Sequence, residues 1–266
     1  MGIHPTAIVD KNAQVADGVS IGARCIIGPK VKLEKDVKIH NNVIIEGETI
    51  IGEGTEVCPF TLIGVSSQHA RFINESGKVT IGKFNVIEKH VTVHVGTPID
   101  LDNTIIGDHC VIKINAHIAH DCIVGNHVIL ENVATLGGHV HLGDYVHAKA
   151  MAVFHQFIRV GKYAKICDMA GGFKDIIPYG VKTVSRGKTL AGLNIEALEK
   201  NGVSKEEIKN FEDGCLELFV KEGTQEERLI AVKEKYKTSK FLQEVIEFMT
   251  PESKFGYYGY EGNESA

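Results

Sequence analysis

The chain has 266 residues, 29 basic and 34 acidic side chains, a formal charge of −5 and 43% hydrophobic content. That length admits one or two domains, and the charge balance offers no basic stripe with which to hold nucleic acid. No apolar run reaches membrane-spanning length and the N-terminus carries no basic, apolar leader pattern, so a cytoplasmic protein without membrane insertion is expected.

Isoleucine, valine or leucine occupies every sixth position from Ile3 to Ile63, through Val9, Val15, Ile21 and their successors. The register resumes at Ile81, Ile87 and Val93, slips by one residue within 94–105, and continues from Ile106 through Ile112, Ile118 and Val124 to Ile166. Neither helical nor simple strand periodicity accounts for a period of six. One aliphatic per six residues is the pattern of a parallel β-helix, in which each unit is a short strand and three units close a coil. A second column agrees: two residues before each aliphatic stands a small or β-branched side chain such as Ala13, Val31, Thr55, Cys110, Cys122 or Val140. Glycine follows the aliphatic in many units, among them Gly22, Gly52, Gly107 and Gly125, which suggests a sharp turn there.

The fold expected is therefore an all-β solenoid over residues 1–186 followed by a helical domain over 187–266. The two parts differ in charge: residues 1–186 hold 18 basic and 18 acidic residues, the remainder 11 and 16. All thirteen histidines lie between His4 and His155. In the C-terminal part, Ser204 with Glu207 and Thr224 with Glu227 form the pattern of capping boxes before helically spaced apolar residues. Two excursions, 65–80 and 94–105, interrupt the coils and are the loops most suited to carry function. Six cysteines show no CxxC pair, and Cys25, Cys110 and Cys122 fall in the inward column, which assigns them to packing rather than to disulfides or a nucleophile.

Eighteen residues make one coil, so side chains eighteen apart lie above one another. His120, Gly138 and Gln156 then form one column, flanked by Asp121, His139 and Phe157 on one side and by Ala119, Gly137 and His155 on the other. His117 faces outward nearby. Histidine is suited to general base work near neutral pH, an adjacent carboxylate orients the ring, and a glycine lets a backbone N–H approach an oxyanion. These are the parts of an acyl transfer site without a covalent nucleophile. Gly138 is expected at an outward corner with room for a side chain, so that Gly138→Val would obstruct the substrate rather than the fold.

At these residues the chain resembles the bacterial UDP-N-acetylglucosamine O-acyltransferases of lipid A synthesis. The resemblance rests on Ile3-His4-Pro5-Thr6-Ala7, on the run Ile114-Asn115-Ala116-His117-Ile118-Ala119-His120-Asp121-Cys122, on Gly137-Gly138-His139, on His155-Gln156-Phe157 and on Gly192-Leu193-Asn194-Ile195-Glu196. It implies a left-handed β-helix with a C-terminal helical domain, assembled as a homotrimer with active sites between subunits. It implies His120 as general base, Asp121 as its partner and Gly138 as oxyanion donor. His117, His139, His155 and Gln156 match positions lining the sugar and acyl-donor cleft, and Gln68, Arg71, Asn194, Glu196 and Lys200 match further substrate-binding positions. The donor implied is a 3-hydroxyacyl group on acyl carrier protein, the acceptor a UDP-sugar, and neither a cofactor nor a metal is implied. Arg159, Lys162 and Lys165 flank the site in sequence and are candidates for meeting the acidic carrier.

Four positions depart from the family pattern. Arg71 stands where a lysine is usual and His69 where an acidic residue is usual. Lys200-Asn201 replaces a basic pair, and Asp168 falls in the stretch that limits acyl length, where a buried carboxylate would be costly. Acyl length, a hydroxyl or an amine acceptor, and the exact nucleotide sugar stay open. Two other classes compete: a zinc β-helix carbonic anhydrase, suggested by His117-x-x-His120, and a non-catalytic sugar-nucleotide-binding scaffold.

Overall fold

The computed structural model describes residues 2–68, 77–184, 187–220 and 222–262. Short strands between Ile8 and Leu193 stack into three sheets of nine, eight and ten strands, every pair parallel except that of the last strand. The register is the one the period demands: Ile8 and Val9 pair with Ile26 and Ile27, and His117 and Ile118 with Thr135 and Leu136, eighteen residues on. At the first excursion Leu62 pairs with Thr92, thirty residues on, and at the second Thr92 pairs with His117, twenty-five on. The excursions thus lengthen a coil while the ladder continues, with one irregularity beyond Ile63, where Val65 pairs with His94. Both are shorter than their broken pattern suggests, because Lys78–Ile81 and Asn103–Ile106 are already strands.

The two inward columns fill the interior. Ile27, Ile45, Ile63, Ile87, Ile118 and Leu136 are buried, and so are Cys25, Val43, Thr61, Cys110 and Cys122 in the second column. Each fully buried aliphatic contributes roughly 1.5–3 kcal/mol relative to exposure. Ile3 departs from the rest: it is 50% exposed, since no coil lies beneath it and one bridge to Ile21 is its only strand contact.

The turn chemistry differs from the sequence expectation. Left-handed backbone falls on the third residue after the aliphatic, at Arg24, Asn42, His90, Asn115, Asp121, His139 and Phe157, with φ between 57° and 67°. Glycines directly after the aliphatic serve close approach instead. A Cβ on Gly52 would lie 2.4 Å from the Gly82 carbonyl oxygen, and one on Gly107 2.8 Å from the Gly125 backbone.

After Lys182 the chain returns as Gly192–Leu193, antiparallel to Gly180–Lys182. Four helices follow: α1 (Ile195–Lys200), α2 (Lys205–Val220), α3 (Gln225–Lys235) and α4 (Lys240–Met249). Amphipathic α4 buries Leu242, Val245, Ile246 and Met249, and Tyr179 at the end of the solenoid packs edge-on against Phe211 and Phe241. Thr224 and Glu227 form the expected reciprocal capping box. At Ser204 only half of it exists: the hydroxyl accepts from Glu207 N–H, while the Glu207 carboxylate accepts from the Ser239 hydroxyl instead. Among the described residues no helix is long and apolar enough to cross a membrane.

Candidate active site

The corner between strands His117–Ile118 and Ile123–Val124 gathers the residues predicted to stack there. His139 N–H donates to the His120 carbonyl and Phe157 N–H to the Gly138 carbonyl, each at 3.0 Å, so the column register holds at the turn itself. His120 and Asp121 are both buried, at 7% and 0% exposure. His120 Nδ1–H donates to Asp121 Oδ2 at 2.9 Å. This bond fixes the tautomer in which Nε2 carries the basic lone pair. That side of the ring lies against Gly138, whose missing Cβ would fall 2.6 Å from Nε2.

Asp121 is held from the opposite side by Thr97, a residue of the second excursion. Thr97 N–H donates to Oδ1 at 2.9 Å and its hydroxyl to Oδ2 at 2.5 Å. Burial by itself would raise the Asp121 carboxyl, but the hydrogen bonds from His120 and Thr97 outweigh it and hold the group below its usual range. The carboxylate stays ionised and is positioned to stabilise an imidazolium. Asp100, on the same excursion, accepts from His139 Nδ1–H at 2.5 Å, and the His139 ring stacks on Phe157 with centroids 4.3 Å apart. Thr97 and Asp100 were absent from the sequence reading, although the loop that carries them was singled out. Their partners are more than twenty residues away, and no local pattern marks them.

His117 lies one strand residue before the buried Ile118, hydrogen-bonded through Nδ1 to Thr92 Oγ at 2.6 Å and edge-on to His94 at 4.8 Å. Burial, assisted by His120, lowers the His117 pKa. His94 is also new to the site: burial, with repulsion from His117 and His120, pushes its pKa down to about 4. His155 and Gln156 are exposed one coil above Gly138, with the His155 ring edge-on to Phe255. Lys254 caps the Phe157 ring at 3.2 Å. Gln68 is exposed at the lip of the first excursion, while His69 and Arg71 lie outside the described residues.

Asn194, Glu196 and Lys200 are not at this corner. They line a groove over the outer face of a different sheet, beside His147 and Lys165. Asn194 caps α1, accepting from Ala197 N–H and donating to the Tyr163 carbonyl, and Glu196 pairs with Lys200 at 2.6 Å. Within one chain the two sets of candidate residues therefore face apart.

Two expectations are corrected. Asp168 lines no buried apolar pocket: its side chain is 57% exposed and accepts from Ala150 N–H at 3.2 Å, so it carries no burial penalty. Arg159, Lys162 and Lys165 each face an acidic partner within the chain, namely Asp175 at 2.7 Å, Glu244 at 2.6 Å and Glu196 at 4.0 Å.

Donor atoms of His120, Asp121 and His139 lie within 4.8 Å of one another, a spacing a metal ion can use. Yet His139 Nδ1 is engaged by Asp100 and both oxygens of Asp121 by Thr97, an arrangement suited to proton transfer rather than to metal ligation.

A family model described as UDP-N-acetylglucosamine O-acyltransferase, domain 2, matches residues 175–258, and one for the bacterial transferase hexapeptide matches 103–138. An acyl-[acyl-carrier-protein]–UDP-N-acetylglucosamine O-acyltransferase of Rickettsia canadensis is 38% identical over 259 residues, covering 97% of this chain and 98% of the relative. The chain belongs to the UDP-N-acetylglucosamine O-acyltransferase family. Its Azorhizobium caulinodans member is 37% identical over 93% of this chain and 91% of its own length. Among solved members, the Francisella novicida UDP-N-acetylglucosamine acyltransferase superimposes with a TM-score of 0.92 at 30% identity, covering 99% of this chain and 97% of that one. The Moraxella catarrhalis structure gives 0.92 at 31%, over 97% and 100%. The left-handed parallel β-helix is the fold of this family, and the carbonic anhydrase alternative falls with the assignment.

Proposed function

We propose that this chain moves a 3-hydroxyacyl group from acyl carrier protein to the 3-hydroxyl of UDP-N-acetylglucosamine, the opening step of lipid A synthesis. Neutral His120 takes the hydroxyl proton on Nε2 while the sugar oxygen attacks the thioester carbon. The imidazolium so formed is stabilised by Asp121, which Thr97 keeps ionised and oriented. The oxyanion of the tetrahedral intermediate accepts from Gly138 N–H, which has no acceptor among the described residues. Collapse breaks the carbon–sulfur bond, and His120 returns the proton to the departing thiolate. No acyl-enzyme is needed. Both carriers are water-soluble, which fits a cytoplasmic reaction.

Two features support a three-fold assembly with sites between subunits. His120 and the groove of Asn194, Glu196 and Lys200 face apart, so a nucleotide sugar that uses both sets must bridge two subunits. An apolar strip of Val133, Met151, Val153, Met169 and Phe173, each at least 44% exposed, runs beside the outward row that begins at His117. A patch of that kind calls for a neighbour or for an acyl chain.

The observation that carries the reading is the relay from Thr97 through Asp121 to His120, ending against Gly138. Product analysis by mass spectrometry tests it, with purified protein, mixed acyl carrier protein donors, and hydroxyl and 3-amino UDP-sugars as acceptors. An ester on UDP-N-acetylglucosamine is expected. An amide on the amino sugar alone identifies an N-acyltransferase, and no product at all a binding scaffold.

A further inference from the structure

Far from the catalytic corner, near the first coils, His40, Glu56 and Cys58 place an imidazole nitrogen, a carboxylate oxygen and a thiol sulfur within 4.8 Å of one another. The stacking explains the cluster. His40 N–H donates to the Val57 carbonyl and Cys58 N–H to the Ile87 carbonyl, so His40, Cys58 and Glu88 ascend one column at the end of a sheet. Glu56, two residues before Cys58 and paired between Lys38 and Val86, places its carboxylate 2.6 Å from His40 Nε2. We propose that His40, Glu56 and Cys58 form a zinc site that fastens two adjacent coils of the solenoid.

Nitrogen, oxygen and thiolate together suit a borderline-soft ion, and tetrahedral zinc holds such donors at about 2.0–2.3 Å, which sets them about 3.3–3.8 Å apart. The donors need only a small adjustment to reach that spacing: the sulfur closes in from within 4.8 Å, while His40 Nε2 and the Glu56 carboxylate, 2.6 Å apart, separate slightly. The His40 and Glu56 side chains, 44% and 37% exposed, are free to make it while the backbone ladder stays in place. The fourth position opens to solvent, where a groove lined by His4, Lys38 and Asn41 passes the cluster. Burial and the charges of Glu56 and Glu88 raise the Cys58 thiol, and a cation among these groups neutralises the same charges and displaces the thiol proton. The site owes nothing to His120 and its partners, so its occupancy is separable from acyl transfer.

The test is titration of cobalt(II), as a spectroscopic substitute for zinc, into the full-length protein kept reduced by a non-thiol, non-chelating reductant. Wild type should show a thiolate-to-cobalt charge-transfer band that saturates at one ion per chain and is chased by zinc. Cys58→Ser should abolish the band while leaving acyl transfer intact. His40→Ala and Glu56→Gln should each weaken binding by more than the roughly 10–100-fold typical of an outer-shell change. Cobalt held instead by His120, Asp121 and His139 gives no thiolate band, which distinguishes the two clusters. Absence of the band in wild type, its persistence in Cys58→Ser, or its indifference to both His40→Ala and Glu56→Gln overturns the proposal.

Discussion

Gly138, one coil above His120, lies so close to the edge of the imidazole that a Cβ on the glycine would sit 2.5 Å from Cε1 and 2.6 Å from Nε2. The outward corner that the repeat suggested was roomy is filled by the His120 ring. Even Gly138→Ala must push His120 away from its place. Turnover should fall by on the order of 10²-fold or more, the scale of losing a positioned catalytic group, with the β-sheet circular dichroism unchanged. An alanine variant with wild-type kcat would show that the ring does not work where it is found.

His120→Ala should lower kcat by about 10²–10⁴-fold, the range for a lost general base. His117 is tied to Thr92, whereas the ring against Gly138 is that of His120. His117→Ala should therefore act in good part through KM, as a binding residue does. Steady-state kinetics on both variants separate the roles, and equal losses confined to kcat would contradict the division.

Thr97→Val removes one of the two bonds from this residue to Asp121 and keeps the other. Hydrogen bonds to charged groups contribute about 1.5–3 kcal/mol, so turnover should drop by on the order of tenfold to a hundredfold. KM should change little, because Thr97 acts through Asp121. Asp121→Asn should be worse, since it removes the charge that stabilises the imidazolium. A Thr97→Val enzyme as active as wild type would place Asp121 outside the proton path.

His94 makes stability depend on pH. Its pKa falls from 6.5 to about 4 on folding because the ring is buried and is repelled by His117 and His120. Between those values the unfolded chain binds more protons than the folded one, so stability rises with pH; it is complete above about pH 6.5 and is lost as the pH falls toward 4. The loss amounts to about 3 kcal/mol over the window. Urea unfolding across this range should show the decline, and His94→Gln, which cannot take up the proton, should flatten it. Parallel pH profiles for the two proteins would remove His94 as the cause.

The separation of His120 from Glu196 predicts complementation between subunits. His120→Ala and Glu196→Ala proteins, each impaired alone, should regain activity when unfolded and refolded together, because some mixed interfaces then carry both intact sets. Sedimentation should report a trimer for each. An active monomer at assay concentration, or no recovery on mixing trimers of mixed composition, would place both residue sets in one subunit.

The solenoid was legible because its rule is local. Two side chains in every six point inward, and a coil of constant length turns sequence distance into height, which placed His120, Gly138 and Gln156 in one column. The helical end was legible in outline. Its caps were not fully so: Thr224 closes its box with a neighbour, whereas Glu207 is diverted to Ser239, thirty-two residues away in sequence.

The sequence by itself determined the period, the register and the stacking of His120, Gly138 and Gln156, since each follows from a repeat that backbone hydrogen bonding must obey. Only the tertiary structure decided what lies against that column. The second excursion folds back to bring Thr97 onto Asp121 and Asp100 onto His139. The C-terminal segment brings Lys254 over Phe157. The turn of the prism carries Asn194, Glu196 and Lys200 to another face. These contacts join residues with no common period, and loop closure and side-chain packing, rather than any repeating pattern, select them.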